Sequence, residues 1–368
     1  MRWKFCLTHC ARRKGKDRHK GREVNTKGME SVGRHDLVSF TPEQLKLFTK
    51  DFSEENLLGK TQFGKLYRGK ILLGLDQMES QEVIVKIWED NSGWECPALY
   101  DLDLNEKRSK LRDEVYFLRH PSVKFHPNLV KLIGYCNEGD LFGVVYDLNP
   151  LDTLEDLLIK DSFTWLQRIK VALGFARLLD FLQDCRSPYI VRNIDAAHIL
   201  IDQDFNPMLC DFAMLSGGIM GDIANNPCEG IWGSIGYTDY HLCAIGKWSV
   251  KCDVYSYGVL LLSLIAQRVI DKKHPETSVD IWAQNEYKTP ILYLGGNAGF
   301  SLVHKSLEKE SNYDALDGSI ITKLAMRCLE FSPLQRPTMK EIIRCLQDLC
   351  DRQSHSEAVG IKPMPDEV

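Results

Sequence analysis

The chain has 368 residues, 44% of them apolar and 26% charged, with a formal net charge of −5. Such ordinary globular composition excludes collagen-like, low-complexity and wholly disordered chains, and the length suits one large two-lobed unit or two domains. The longest apolar run, Tyr257–Ala266, falls far short of the roughly 20 residues that a membrane span needs.

Residues 1–35 come first, basic and polar without a sustained apolar period, and read as a flexible arm. Residues 1–22 hold nine Lys or Arg against one Asp, while the rest of the chain has 37 basic and 50 acidic residues. An acidic body of this kind argues against nucleic acid as a partner. The twelve cysteines are scattered with no Cys-x-x-Cys pair, and the N-terminus shows no apolar signal-peptide core. Reduced thiols and a cytoplasmic location are therefore expected.

Order is expected to begin at Phe40. Thr41 can cap a helix, Pro42 suits its first position, Gln44 closes a capping box and Phe40 can staple onto Leu45. β-type runs follow at Lys65–Leu73 and Glu82–Trp88, then a polar stretch from Glu89 to Glu106. A helix with Leu111, Val115 and Leu118 on one face comes next, ahead of β-type runs near Leu129–Tyr135 and at Leu141–Tyr146. After Pro150 the pattern turns helical. Leu166, Ile169, Leu173, Ala176 and Leu179 form an inward stripe, and Tyr257–Ala266 reads as a fully buried helix. Thr338 and Glu341 form a second capping box before an apolar face of Met339, Ile342, Ile343, Leu346 and Leu349. The pattern predicts a small β-rich lobe and a larger helical lobe, joined near Asp147–Thr153.

The segment Leu58-Gly59-Lys60-Thr61-Gln62-Phe63-Gly64-Lys65-Leu66-Tyr67 carries a glycine pair in a hairpin, by itself only a turn. An ordered set follows it. Val83-Ile84-Val85-Lys86 puts a lysine at the end of a strand, and Arg112-Asp113-Glu114-Val115 puts a glutamate on the next helix. Then come Val191-Arg192-Asn193-Ile194-Asp195-Ala196-Ala197-His198-Ile199-Leu200 and Asp211-Phe212-Ala213. In order and approximate spacing this set resembles that of the protein kinases. Four further pieces narrow the resemblance to the plant receptor-like kinase and Pelle group, of receptor-like cytoplasmic type. They are His126-Pro127-Asn128-Leu129-Val130, Gly233-Ser234-Ile235-Gly236-Tyr237, Asp253-Val254-Tyr255-Ser256-Tyr257-Gly258 and Arg336-Pro337-Thr338-Met339.

The resemblance runs from about Phe40 to Leu349 and implies a bilobal α+β kinase fold. The expected division is a flexible arm 1–35, a kinase-like domain 36–350 and a disordered tail 351–368. Within the domain the N-lobe spans about 50–147 and the C-lobe about 150–350. ATP and Mg²⁺ are the implied cofactors. Gly59, Gly64, Lys86, Glu114 and Leu200 stand at nucleotide-binding positions, and Asp211 and His198 at metal positions.

The catalytic loop departs from the family pattern of His-Arg-Asp followed by Lys and Asn. Val191 replaces the His, Asn193 the proton-accepting Asp, Asp195 the phosphate-binding Lys and His198 the metal-binding Asn. An amide has no basic carboxylate, and losing general-base assistance typically costs about 10²–10⁴ in rate. At Asp195 attraction for the γ-phosphate becomes repulsion, roughly 4 kcal/mol for charges ~4 Å apart at an effective dielectric near 20. His198 offers nitrogen, which hard Mg²⁺ accepts poorly. Thr61 crowds the second glycine position of the phosphate loop, and Ile84 stands where the family has a small Ala against the adenine. The expected protein is a catalytically impaired pseudokinase that binds ATP weakly at best. It would act as scaffold or decoy for an active kinase or receptor complex in immune-type signalling. An active or weakly active Ser/Thr kinase, with Asp195 as substitute base, is the competing reading. Lys86 and Glu114 serve either, as phosphate clamp or as a structural ion pair.

Other expectations concern architecture and attachment. Asp253 should hold the Val191–Arg192 turn, and Phe212 and Val191 should stack with Leu118. The triplet that usually ends in a glutamate partner for Arg336 is Asp239-Tyr240-His241, so that partner is missing and Arg336 must find another or face water. Ser216, Ser234 and Thr238 are either phosphate acceptors or ordinary loop hydroxyls. Cys6 and Cys10 lie among Arg2, Lys4, Arg12 and Arg13 with apolar neighbours. If acylated, they would dock the arm peripherally at the inner face of the plasma membrane, each nearby Lys or Arg adding about 1 kcal/mol. A solvated basic tail or nuclear-import patch is the alternative. Gly does not follow Met1, so N-myristoylation is not expected.

Overall fold

The first helix forms where its capping box predicts it, in a computed structural model that describes residues 37–61, 63–73, 79–89, 103–221, 234, 236–239, 248–271, 274, 277–294 and 299–359. The arm, with Cys6 and Cys10, lies outside the described residues. Residues 37–368 make a unit by themselves. Thr41 Oγ1 accepts from the Gln44 amide at 3.3 Å, and the Gln44 side chain accepts from the Thr41 amide at 2.9 Å, opening α1 (Pro42–Phe48).

Just before α1, β1 (Val38–Ser39) pairs in parallel with β5 (Leu132–Glu138). With β2 (Leu57–Thr61), β3 (Gly64–Leu73), β4 (Glu79–Trp88) and β6 (Leu141–Tyr146) they form a sheet in the order β1-β5-β6-β4-β3-β2. The other pairings in it are antiparallel. β4 shows how a continuous apolar run serves two cores. Side chains alternate between faces, so Val83, Val85 and Ile87 pack with Phe40, Leu45 and Tyr67 in a small cluster beneath α1. Ile84 and Trp88 join the main core, which continues into the second lobe, and alternation gives Lys86 their face.

α2 (Leu104–Arg119) is opened by an Asp103–Glu106 capping box and buries Leu111, Glu114, Phe117 and Leu118. β5 begins at Leu132, later than the expected Leu129, because the preceding residues pair with the second lobe instead. The Leu209 amide donates to the Asn128 carbonyl at 3.1 Å, and Asn128 Nδ2 donates to the Pro207 carbonyl at 2.9 Å.

The second lobe starts with β7 (Asp152–Thr153) and α3 (Leu154–Leu158), and α4 (Trp165–Gln183) carries the predicted inward stripe. β8 (Ile199–Ile201) and β9 (Pro207–Leu209) join β7 in a small sheet ordered β7-β8-β9. α5 (Val250–Ala266) is buried along nearly its whole length, as its unbroken apolar run requires. α6 (Val279–Leu294), α7 (Ala315–Cys328) and α8 (Met339–Val359) follow. The architecture is the bilobal α+β one expected.

One boundary needs correction. α8 runs to Val359, well past the tail boundary at 350. Leu349 is fully buried, and Arg352 Nη2 pairs with Asp317 Oδ1 on α7 at 2.7 Å, so packing and charge carry the helix onward. Residues 360–368 of the expected tail lie outside the described residues.

Candidate functional site

β4 delivers Lys86 to the crevice between the lobes, and α2 delivers Glu114 beside it. Lys86 Nζ donates to Glu114 Oε2 at 2.7 Å, to Asp211 Oδ1 at 2.9 Å and to the Cys210 carbonyl at 3.2 Å. None of the three side chains is more than 1% exposed. Burial by itself would discharge the ammonium, but Asp211 and Glu114 outweigh it and hold Lys86 charged, above its ordinary range. Burial raises Glu114. For Asp211 burial also opposes ionisation, yet Lys86 and then His198 prevail and keep it below the ordinary carboxylate range. The Tyr146 hydroxyl donates to Glu114 Oε1 and lies 3.2 Å from the Cys210 carbonyl.

Asp253, at the start of α5, shapes the loop that faces this cluster. Its carboxylate accepts from the Val191 amide at 2.8 Å and the Arg192 amide at 2.9 Å, as expected, and burial pushes its pKa up to about 7. These bonds hold Arg192 at φ 61°, a left-handed conformation uncommon for a residue with a long side chain. The turn aims Asn193 into the crevice. Its Nδ2 donates to Asp211 Oδ2 at 2.7 Å, and its Oδ1 accepts from Ser234 Oγ at 2.8 Å. His198 Nδ1 lies 2.9 Å from the Asn193 carbonyl and 3.7 Å from Asp211 Oδ2. A carbonyl only accepts, so this nitrogen carries a proton. Asp211 thus has Lys86 and the Ala213 amide (3.2 Å) on one oxygen and Asn193 on the other.

Asp195 follows Asn193 by two residues. Its Oδ1 accepts from the Ala197 amide at 3.0 Å and caps the 3-10 turn Ala196–His198, with the side chain fully buried. Capping a turn is the task the structure gives it.

The walls of the crevice are packed. Gly64 backs so closely onto β4 that a Cβ there would sit 1.9 Å from the Ile87 carbonyl oxygen, so strand packing alone demands glycine. Gly59 lies against β7, where a Cβ would meet Thr153 Cγ2 at 2.9 Å. Thr61, Ile84 and Leu200 are all buried, and Phe63 and Trp88 share the main core with Leu58, Leu66 and Ile84. Across the mouth, Arg68 of β3 donates through Nη1 and Nη2 to the Pro150 and Leu151 carbonyls, each at 2.7 Å.

Two readings left open for the activation segment are narrowed. Arg336 does have an acidic partner, because Asp239, two residues before the position where the family has glutamate, meets its Nη1 at 2.5 Å. Arg336 also donates to the Glu330 and Lys251 carbonyls at 2.7 and 2.8 Å. Ser216, Ser234 and Thr238 are buried and donate to the Ile190 carbonyl, Asn193 Oδ1 and the Ser234 carbonyl respectively, which suits structural hydroxyls. Phe212 packs on Phe117, ring centroids 5.1 Å apart and the planes tilted by 43°, with the expected Leu118 buried next in sequence.

The structure therefore brings Lys86, Glu114, Asn193, His198 and Asp211 together, and puts Gly59, Gly64 and Leu200 in the surrounding walls. Sequence reasoning missed Tyr146, Arg68 and the burial of Phe63 and Trp88. For Tyr146 a signal existed. It stands opposite Ile84 in the β4–β6 register, so alternation places it on the Lys86 face. Arg68 bonds to backbone carbonyls more than 80 positions away, which no local pattern encodes.

Comparison with known proteins agrees with this geometry. A family model for protein tyrosine and serine/threonine kinases matches residues 52–346. The chain is similar to the probable serine/threonine-protein kinase PBL15 of Arabidopsis thaliana, 31% identical over 334 residues, covering 89% of this chain and 74% of that one. It is 33% identical over 330 residues to PBL3 of the same plant, covering 87% and 72%. A third relative is the EPD1-interacting receptor-like cytoplasmic serine/threonine-protein kinase 5A of Gossypium barbadense, 32% identical over 342 residues and covering 91% and 69%.

Proposed function

The chain belongs to the protein kinase family, among the plant receptor-like cytoplasmic serine/threonine kinases, and from that membership we propose that it is a pseudokinase scaffold. The observation that carries this reading is the bond from Asn193 to Asp211. The position that should accept a substrate proton is an amide, and it donates to the very carboxylate that should ligate Mg²⁺. As folded, the crevice does not fit Mg-ATP. Both Asp211 oxygens are engaged, His198 offers nitrogen, and the nucleotide-facing positions Thr61, Ile84, Lys86 and Leu200 have at most 1% exposure. Among the described residues the β-rich lobe and the helical lobe of a kinase are nonetheless retained, which suits a protein that presents a kinase-shaped surface to an active kinase or receptor complex. Immune-type signalling is the setting that the family suggests.

The arm completes the proposal. No described helix is long and apolar enough to cross a membrane. Acylation at Cys6 and Cys10, together with the basic residues around them, would hold the protein at the inner face of the plasma membrane. A fluorescent fusion whose location ignores Cys6→Ser and Cys10→Ser would remove this part.

The retained Lys86–Glu114 pair keeps an active kinase as the second reading. Thermal shift and phosphotransfer on the purified full chain decide between them. The expected result is no stabilisation by Mg-ATP and no transfer above the Lys86→Met control. Robust transfer that Lys86→Met abolishes would establish the active kinase.

A further inference from the structure

Asp211 is a fully buried anion with a second buried carboxylate, Glu114, on the other side of a single ammonium. One ammonium shared by two carboxyl groups serves only Oδ1 of Asp211, and a buried carboxylate oxygen without a donor of its own is costly. In the family pattern, position 193 adds a third carboxylate, and a divalent cation can supply the missing positive charge. Here position 193 is an amide, and its orientation is fixed. The Asp211 carboxylate can only accept, so the amide oxygen is left to accept from the Ser234 hydroxyl and Nδ2 must face Asp211 Oδ2, at 2.7 Å. The Ala213 amide completes the other oxygen at 3.2 Å.

We infer that Asn193, with Lys86, is a built-in partner for Asp211 that takes the place of a divalent cation: Lys86 supplies the positive charge and the neutral amide the second donor, so that the folded state is complete without metal. The network Ser234–Asn193–Asp211–Lys86–Glu114 is satisfied at each of these bonds, and satisfied buried networks rigidify what they join. What it joins is the activation segment, the catalytic loop, β4 and α2. The metal and phosphates that order these parts in a working kinase are replaced by side chains of the chain itself. This inference rests on the non-catalytic reading of the crevice and adds to it a specific role for residue 193.

The test compares melting of the full-length protein, in EDTA and in millimolar MnCl₂, for the wild type, Asn193→Asp and Asn193→Ala. The wild type should melt at one temperature in both. Asn193→Asp sets two buried carboxylates against each other and should melt roughly 5–10 °C lower in EDTA, with the loss recovered in Mn²⁺. Asn193→Ala adds no charge but strips Asp211 Oδ2 of its donor; it should also melt lower in EDTA and recover in part with Mn²⁺. If Asn193→Asp yields no folded protein, Asn193→Ala decides. A wild type stabilised by Mn²⁺, or variants that melt like the wild type and ignore the metal, would overturn the inference. Phosphotransfer by a wild type whose melting ignores metal would overturn the function proposed above and leave the role of Asn193 standing.

Discussion

Arg336 Nη1 meets Asp239 Oδ2 at 2.5 Å, and both side chains are nearly fully buried. The motif places the usual carboxylate two residues later, where this chain has His241, so a reading by position finds no partner. Charge compensation is a matter of distance rather than position, and the backbone brings Asp239 close enough to supply it. Removing one member of a buried pair costs about 3–5 kcal/mol, because the other charge stays behind unpaired. Asp239→Ala should therefore lower the midpoint of urea unfolding by that equivalent. An unchanged midpoint would mean that the Glu330 and Lys251 carbonyls alone satisfy the guanidinium. Asn193 makes the same point from the other side. Its identity says that a base is missing, and only its partners say what the amide does instead.

At the scale of elements, the helix starts were the most legible feature. The Thr41–Gln44 and Thr338–Glu341 boxes are local, three residues apart, and both form. At the second box, hydrogen bonds from the Thr338 backbone and hydroxyl hold Glu341 below the ordinary carboxylate range. A carboxyl with a depressed folded pKa stabilises fully above its unfolded value and loses that contribution as pH falls through the folded one. Glu341→Ala should thus cost about 0.5–1 kcal/mol at neutral pH, with the difference from wild type closing on acidification below about pH 4. A gap that stays constant with pH would show that the ionised carboxylate does not carry the loss. Strand ends were less legible. Asn128 and Leu129 belong by composition to the β5 run, yet the second lobe captures them through Pro207 and Leu209.

For the whole molecule, the two cores meet different needs. The main core runs through both lobes, while the small one beneath α1 depends on Phe40 and Leu45 from the start of the unit. Because residues 37–368 form a unit by themselves, deletion of 1–36 should leave the melting temperature unchanged. Deletion through Phe48 strips the fully buried Leu45 from that core and should lower it by several degrees. Equal melting of both truncations would show that α1 is dispensable. The crevice between the lobes is closed from three sides. Arg68 bridges its mouth, Phe63 and Trp88 lie within the core beside it, and the Lys86–Asp211 cluster ties its back.

The sequence by itself determined the order and type of the main elements, the family, and the identity of the substituted residues at 193, 195 and 198. These are properties of short windows, where periodicity, caps and motif spacing act within a few residues. Tertiary structure decided what the substitutions accomplish. It turned Asp195 into a cap on the turn that follows it, named Asp239 as the substitute carboxylate for Arg336 and set the amide of Asn193 against Asp211. The last two pair groups remote in sequence, and the energy of a buried charge depends on all its neighbours at once. No local pattern carries that information.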